Sequence, residues 1–497
     1  MPNNERKPLG VVLPSGHTGS SLFHSVLQQA VAQFPQALGA ARMPSGAGVF
    51  KKTYGSALAR FEAARVSSSE RTAIARFIVR TTQDALGFAA GDKTVPLTEH
   101  LRDKAAPQTL ERTRLGDESR LEVAIPWSGA VHRGLDAVTL AKRLAATHEL
   151  THAAAEALTW IAQHAQANGG KIDLRGRRFV ILGAGAELAP TRALLQGGAS
   201  VLWIDLADPA TLLADRAGLS GELVTCAAAK NLLENPREIA AAIEAFAQGQ
   251  PVEVGAFAYA SGASQEWRLA VTMDAIVSSL DPAIVRSVSL LVSPTTASVW
   301  QPESVTEAAA RFKRRPIWQG ALNRAGLLPT PGSISAGGAH VGLSTVSIQG
   351  LSYQAAQYIS KLMAAEALAL HGVDARATTS RPIIVSANVA GITRTRSLSH
   401  PLFEAAFLGA PKFGVRIFDP PETRALSSLL MLHDLLNPQA PAGPQTNDPQ
   451  RASKLFAQQV HGGIYCLPFA LEESIRAAAV IGLGMKPSVL LPKKRKR

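Results

Sequence analysis

Two short runs of residues could do chemistry by their type and spacing. The first is Gly183-Ala184-Gly185-Ala186-Glu187-Leu188-Ala189, which follows an apolar stretch ending at Leu182. Gly183 allows a tight turn, and Gly185 lets backbone approach a pyrophosphate. Ala189 keeps the next helix close to a sheet, and the first N–H groups of that helix face the phosphates. Asp205 lies 22 residues after Gly183. A carboxylate there accepts the ribose hydroxyls and repels a 2′-phosphate. The pattern predicts a bound dinucleotide and favours NAD over NADP. The second run is His148-Glu149-Leu150-Thr151-His152. On one helix its imidazoles would share a face at i, i+4 and could hold zinc, with Glu149 as general base. A third ligand at a usual spacing is lacking, since only Glu156 and Asp173 could stand in. No metal is therefore expected, and a zinc metallohydrolase is the alternative reading.

These residues need elements to position them. Residues 9–13 form a short apolar run, followed by a turn-rich cluster and helical patterns over 22–34 and 57–86. Residues 90–120 are charged and irregular, 120–127 alternate like a strand, and 135–166 read as one long helix. From Lys171 the texture changes. Apolar runs at 178–182, 200–206, 252–258, 285–292 and 382–389 alternate with Ala-rich helical segments, the signature of a parallel sheet covered on both faces. The predicted fold class is α/β: a doubly wound parallel sheet of Rossmann type with an N-terminal mixed α/β accessory domain. The expected division is 1–170 for that mostly helical domain, 171–485 for the dinucleotide-binding domain and 486–497 for a basic tail. Residues 434–452 are Pro-rich and predict a surface excursion.

Composition narrows the partners. The 497 residues are 46% apolar and 18% charged, which excludes a disordered, collagen-like or coiled-coil chain. Of the net charge of +13, five charges sit on Lys493, Lys494, Arg495, Lys496 and Arg497. Aromatics are 5% and do not interleave with basic residues, so nucleic acid is not expected as the main partner. Two cysteines, Cys226 and Cys466, make no disulfide framework and fit a reducing, cytoplasmic setting. No stretch approaches the roughly 18–20 apolar residues that cross a bilayer, so no membrane partner is expected.

From Asp173 to Gly185 the chain resembles the opening of the short-chain dehydrogenase/reductases, a Rossmann-fold family that uses NAD(P). The likeness continues in order through Val254–Gly262, Ser287–Ser293, Tyr353–Leu368 and Ile384–Thr395. The resemblance implies an oxidoreductase that moves hydride to or from a carbonyl, a hydroxyl or an enoyl thioester. It implies cofactor contacts from Gly183, Gly185, Ala186, Glu187, Leu188, Asp205, Ala260, Gly391 and Thr395. It also implies a catalytic serine at Ser293, with Thr295 and Thr296 as further hydroxyls, and an acid–lysine pair ending at Lys361. Gln357 stands where the family has its tyrosine, four residues before the lysine. The acid is therefore Tyr353, with Tyr358 as the alternative. The expected partner is a small-molecule or thioester substrate, with homo-oligomerisation left open. A cluster at Arg311, Lys313, Arg314 and Arg315 would suit the phosphates of coenzyme A or a carrier-protein arm. A non-catalytic nucleotide-binding protein is a further alternative.

Overall fold

The computed structural model describes residues 9–260, 262, 264–369, 383–398, 400–443 and 454–490. The chain opens with β1 (Leu9–Val12), which pairs antiparallel with β2 (Gly87–Ala90) and through it with β3 (Lys93–Pro96). Between them run helices Gly19–Gln33, Ala47–Val66 and Arg71–Ala85. The helical pattern at 57–86 is thus two helices, interrupted by the Ser67-Ser68-Ser69-Glu70 turn, where serines compete for backbone hydrogen bonds.

The stretch 90–120 is more ordered than its charge suggests. β4 (Glu111–Gly116) is the outermost strand of the central sheet. The strand expected at 120–127 is shorter. It is β5 (Ala124–Trp127), folded back on β6 (Ala130–Arg133). Ser128 and Gly129, with φ of 49° and 84°, supply the two left-handed residues that a tight hairpin turn demands.

The central sheet contains β7 (Arg178–Leu182), β8 (Ser200–Ile204), β9 (Gly221–Thr225), β10 (Val252–Ala256) and β11 (Val285–Val292). A hairpin of β12 (Ser333–Ala336) and β13 (Ala339–Gly342) intervenes before the last central strand, β14 (Ile384–Val389). The order across the sheet is β14-β11-β10-β7-β8-β9-β4. All neighbouring pairs from β14 to β9 are parallel, and only β4 runs against its neighbour β9. Strand order reverses between β7 and β10, and the crevice beyond their carboxyl ends is where ligands bind in open sheets of this kind. The arrangement is compatible with a Rossmann fold.

Alternation along each strand feeds two separate cores. On β7, Val180 and Leu182 join the core that also holds Phe23, Phe61, Ile78 and Trp267, whereas Phe179 and Ile181 join the core with Leu158, Ile161 and Leu430. Helices from the first 167 residues thus help cover both faces of the sheet, and β4 extends it. Packing runs continuously across residue 170, where the division into domains was expected.

Two expected helices change. The pattern at 135–166 splits into Leu135–Ala146 and His152–Ala167. His148 takes a left-handed φ of 56°, and the Thr151 hydroxyl caps the second helix by accepting from the Ala154 N–H at 3.3 Å. The Pro-rich stretch predicted from 434 begins inside helix Pro420–Leu436, while its residues 444–452 lie outside the described residues. So do residues 491–497 of the basic tail.

Candidate active site

At the carboxyl ends of β7, β10, β11 and β14 opens a cleft of about 530 Å3. Most of the residues named from sequence line it: Ala186, Glu187 and Leu188 from the glycine-rich turn, Ala260 after β10 and Ser293 after β11. Tyr353 and Lys361 line it from one helix, and Gly391 and Thr395 from the loop after β14.

Gly183 is required by its surroundings. Its φ is +88°, and a Cβ there would come within 2.2 Å of the Ala258 nitrogen where the ends of β7 and β10 close together. Gly391 has a different reason, because a Cβ would strike the Phe418 ring at 2.4 Å. Asp205 ends the connection from β8 and ties down the turn. Its carboxylate accepts the Gly185 N–H at 2.9 Å and the Ala207 N–H at 2.8 Å. Asp205 is not a wall of the cleft itself. The helix expected directly after the turn starts only at Thr191 and has six residues, because Pro190 ends the irregular segment before it. Its first N–H groups are therefore not at the glycines. Positive charge near the turn comes from side chains instead: Arg396 lines the cleft, and Arg424 donates to the Glu187 carbonyl at 3.2 Å.

The chemistry is concentrated at the other end. Helix Gly350–Gln357 continues as a π-helical turn, Tyr358–Met363, and then as Ala364–Ala369. Gln349, Tyr353, Gln357 and Lys361 all line the cleft at steps of four. An α-helix turns about 100° per residue, so each step of four drifts by about 40°. The π turn holds more residues per turn, so its step drifts the other way and keeps Lys361 on the same face.

The Tyr353 hydroxyl lies beside those of Ser293 and Thr295, which draw its pKa down against the larger upward push of burial. Ser293 Oγ and Thr295 Oγ1 are 2.8 Å apart, and Thr295 Oγ1 donates to Gln349 Oε1 at 2.7 Å. That bond uses the Thr295 hydroxyl proton, so Ser293 is the donor between the two hydroxyls. Burial pushes the Lys361 ammonium down to about 8. The Lys361 ammonium has no ion pair or hydrogen bond to any described residue. Tyr259 meets the Tyr353 ring edge-on, with centroids 6.3 Å apart.

Tyr358 is corrected. It points away from the cleft, fully buried, and donates to Glu62 at 2.7 Å within a cluster of Glu62, Arg65, Arg71 and Glu366. Thr296 is buried behind the cleft rather than lining it. The basic cluster is also corrected. Arg311 donates to the Gly414 and Gly463 carbonyls, Arg314 pairs with Glu307, and Arg315 lies 3.9 Å over the Phe312 ring. None of these lines the cleft, so the cluster braces the fold and offers nothing to a phosphate handle there.

The His148–His152 run loses its geometry at the helix break. His148 faces Glu307 at 3.6 Å, and Glu149 lies 3.8 Å from Arg416. Among the described residues no group of three or more His, Cys, Asp or Glu is placed to hold a metal. No described helix is long and apolar enough to cross a membrane.

Gln349, Gln357, Tyr259 and Arg396 were not among the predicted site residues. The spacing of four that links the two glutamines to Tyr353 and Lys361 was the available signal for them. No family model matches the chain, and no curated protein matches it.

Proposed function

We propose that this protein is an NAD(P)-dependent oxidoreductase that moves hydride to or from a carbonyl, a hydroxyl or an enoyl thioester. The observation that carries this reading is the meeting of Tyr353, Ser293 and Lys361 in one cleft that ends at the glycine turn. The residues fit a dinucleotide. Gly183 lets two strand ends close beneath it, and each Asp205 oxygen keeps a lone pair for a ribose hydroxyl. Arg396 supplies charge for the phosphates in place of a helix N-terminus. When bound, the nicotinamide supplies or accepts the hydride.

The chain's own residues do the rest. The Ser293 hydroxyl, seated beside Thr295 and Gln349, turns its one proton from Thr295 to the substrate oxygen and orients it. Tyr353 holds or gives the proton at that oxygen, and the Lys361 ammonium favours the ionised form of the tyrosine. The cleft continues past Thr295, Gln349, Ile392 and Leu398 into an apolar chamber of about 50 Å3 under helices Pro401–Gly409 and Leu471–Met485. Phe403, Phe407 and Ile475 wall it, which suits a short apolar substituent on the substrate.

Binding is read by quenching of Trp203, whose ring lies 3.2 Å from the Cβ position of Gly185. Titration with NADH and NADPH should give saturable quenching. Turnover of aldehydes, ketones and enoyl thioesters is then followed by nicotinamide absorbance. Absence of binding by either cofactor would remove the proposal.

A further inference from the structure

Behind Lys361 a chain of voids leads away from the cleft toward the amino ends of β11 and β14, marked by Val285 and Ile383. A pocket of about 20 Å3 is lined by Lys361, Ser360 and Asp274. It shares Lys361 and Ala256 with the cleft. A second void of about 240 Å3 begins at Asp274 and reaches Gln83, Arg76 and Arg80. That one shares Arg80, Gln83 and Ser278 with a third, of about 730 Å3, whose walls include the exposed Asp84, Arg102 and Lys104. The smallest void has room for one water, which needs roughly 10–15 Å3 and two or more polar partners. Asp274, Ser360 and Lys361 provide them.

We propose that Asp274 is a relay residue that passes protons between Lys361 and solvent at this rear opening, without passage through the substrate cleft. The proposal rests on the reading of Tyr353 and Lys361 as the acid and its cation.

Asp274 sits on helix Gln265–Ser279, buried, and accepts one hydrogen bond from Gln83 Nε2 at 2.7 Å. Among the described residues no cation is paired with this carboxylate in direct contact, and burial pushes it up to about 7. The charged groups that approach from the packed elements are mostly cations. Arg76 and Arg80 come from helix Arg71–Ala85, and Lys361 from the π turn. Arg237 and Glu244 come from helix Pro236–Ala247, and Arg102 from helix Leu97–Arg102, all three around the outer void. Helix Gly350–Gln357 brings the titratable Tyr353 and no charge. Among the described residues Asp274 is the one carboxyl on the two inner voids.

The transfers balance one proton at a time. The Lys361 ammonium gives a proton toward the Tyr353 phenolate left by reduction and becomes the neutral amine. The Asp274 carboxyl then gives its proton to the water as the water gives one to that amine, and the Asp274 carboxylate takes another from solvent at the rear void. The ammonium that results faces the cleft, where Tyr353 must be recharged after each reduction. Oxidation runs the same path in reverse. With substrate and dinucleotide bound at the front of the cleft, a rear path would keep the acid supplied.

The test is Asp274→Asn, which keeps the shape and removes the titrating proton. Infrared difference spectra of the wild type should show a protonated carboxyl band that titrates near neutral pH and is lost in the variant. Turnover should fall on the order of 10-fold or more, with NADH affinity within twofold of wild type. The pH–rate profile should lose its limb near neutrality. In Asp274→Ala, added formate should restore part of the rate through the rear void. A folded Asp274→Asn protein with wild-type turnover and an unchanged pH profile overturns the relay and leaves the oxidoreductase reading intact. Wild-type protein that binds neither NADH nor NADPH ends that reading, and the relay with it.

Discussion

The Ser293 N–H donates to the Gln357 side-chain carbonyl at 3.0 Å, joining the end of β11 to the helix that carries Tyr353 and Lys361. Gln357 occupies the position where the resembled family has its tyrosine, and here it holds the serine that would orient the substrate. Removing one such bond to a fixed backbone group costs about 1 kcal/mol. Gln357→Ala should therefore slow turnover by about 5- to 10-fold while NADH affinity stays within twofold. Steady-state kinetics with a parallel cofactor titration check this, and unchanged turnover would mean that Ser293 holds its place without Gln357.

Tyr353 and Tyr358 separate cleanly. Tyr353→Phe removes the proton at the substrate oxygen and should cut turnover by about 10²- to 10⁴-fold with cofactor binding kept. Tyr358→Phe takes a hydrogen bond from the buried Glu62 and should cost about 1–3 kcal/mol of stability. Its turnover per folded molecule should match wild type. Thermal unfolding and single-turnover rates distinguish the two, and a reversed pattern would transfer the acid role to Tyr358.

Asp205 has two duties in this arrangement. Asp205→Ala should relax the preference for NADH over NADPH, because the carboxylate no longer repels a 2′-phosphate. It should also weaken the binding of both, because the Gly185 N–H loses its acceptor. Equal NADH and NADPH affinities in the wild type would contradict the assignment of Asp205 to the ribose.

The pH dependence of stability carries the mark of Asp274. Its folded-state pKa of about 7 lies above the ordinary 3.8, so the native state keeps a proton that the unfolded chain has released. Stability conferred by that neutral carboxyl is present at acid pH and is lost as pH rises from about 4 through 7, by at most ~4 kcal/mol. Asp274→Asn should flatten this decline. The variant should melt higher than wild type at pH 8 and no higher at pH 4, as thermal scans across that range would show. An identical pH profile in both proteins would place the ionisation elsewhere.

The chamber under the two crossing helices sets a size limit. Helices Pro401–Gly409 and Leu471–Met485 are locked together, since a Cβ at Gly409 or Gly482 would come within 1.9 Å of the Ala478 or Ala405 carbonyl. The chamber therefore enlarges through its side chains and not by sliding of the helices. Phe407→Ala should shift the preferred substrate toward longer apolar substituents, seen as a lower KM for these with kcat kept. A KM series identical to wild type would separate the chamber from the substrate path.

Much of the central sheet was legible in the sequence because its strands are apolar on both faces, as Phe179–Leu182 shows, and because Gly183 and Gly185 punctuate the first turn. The site residues after those strands could be placed from their order along the chain, since parallel strands deliver their carboxyl ends to one edge. Local pattern did not decide what happens where distant segments meet. The break at His148 depends on Thr151, whose hydroxyl donates to the Ala457 carbonyl at 2.7 Å, 306 residues away. β4 looked like a charged irregular stretch, because an edge strand needs a partner and little apolar face. The choice between Tyr353 and Tyr358 was made by the π turn and by Glu62, Arg65 and Glu366, a buried cluster assembled from helices some 300 residues apart in sequence. Periodicity speaks for one element at a time, whereas desolvation penalises any buried charge until a partner from elsewhere in the chain meets it. Tertiary structure therefore decided which way each polar side chain turned.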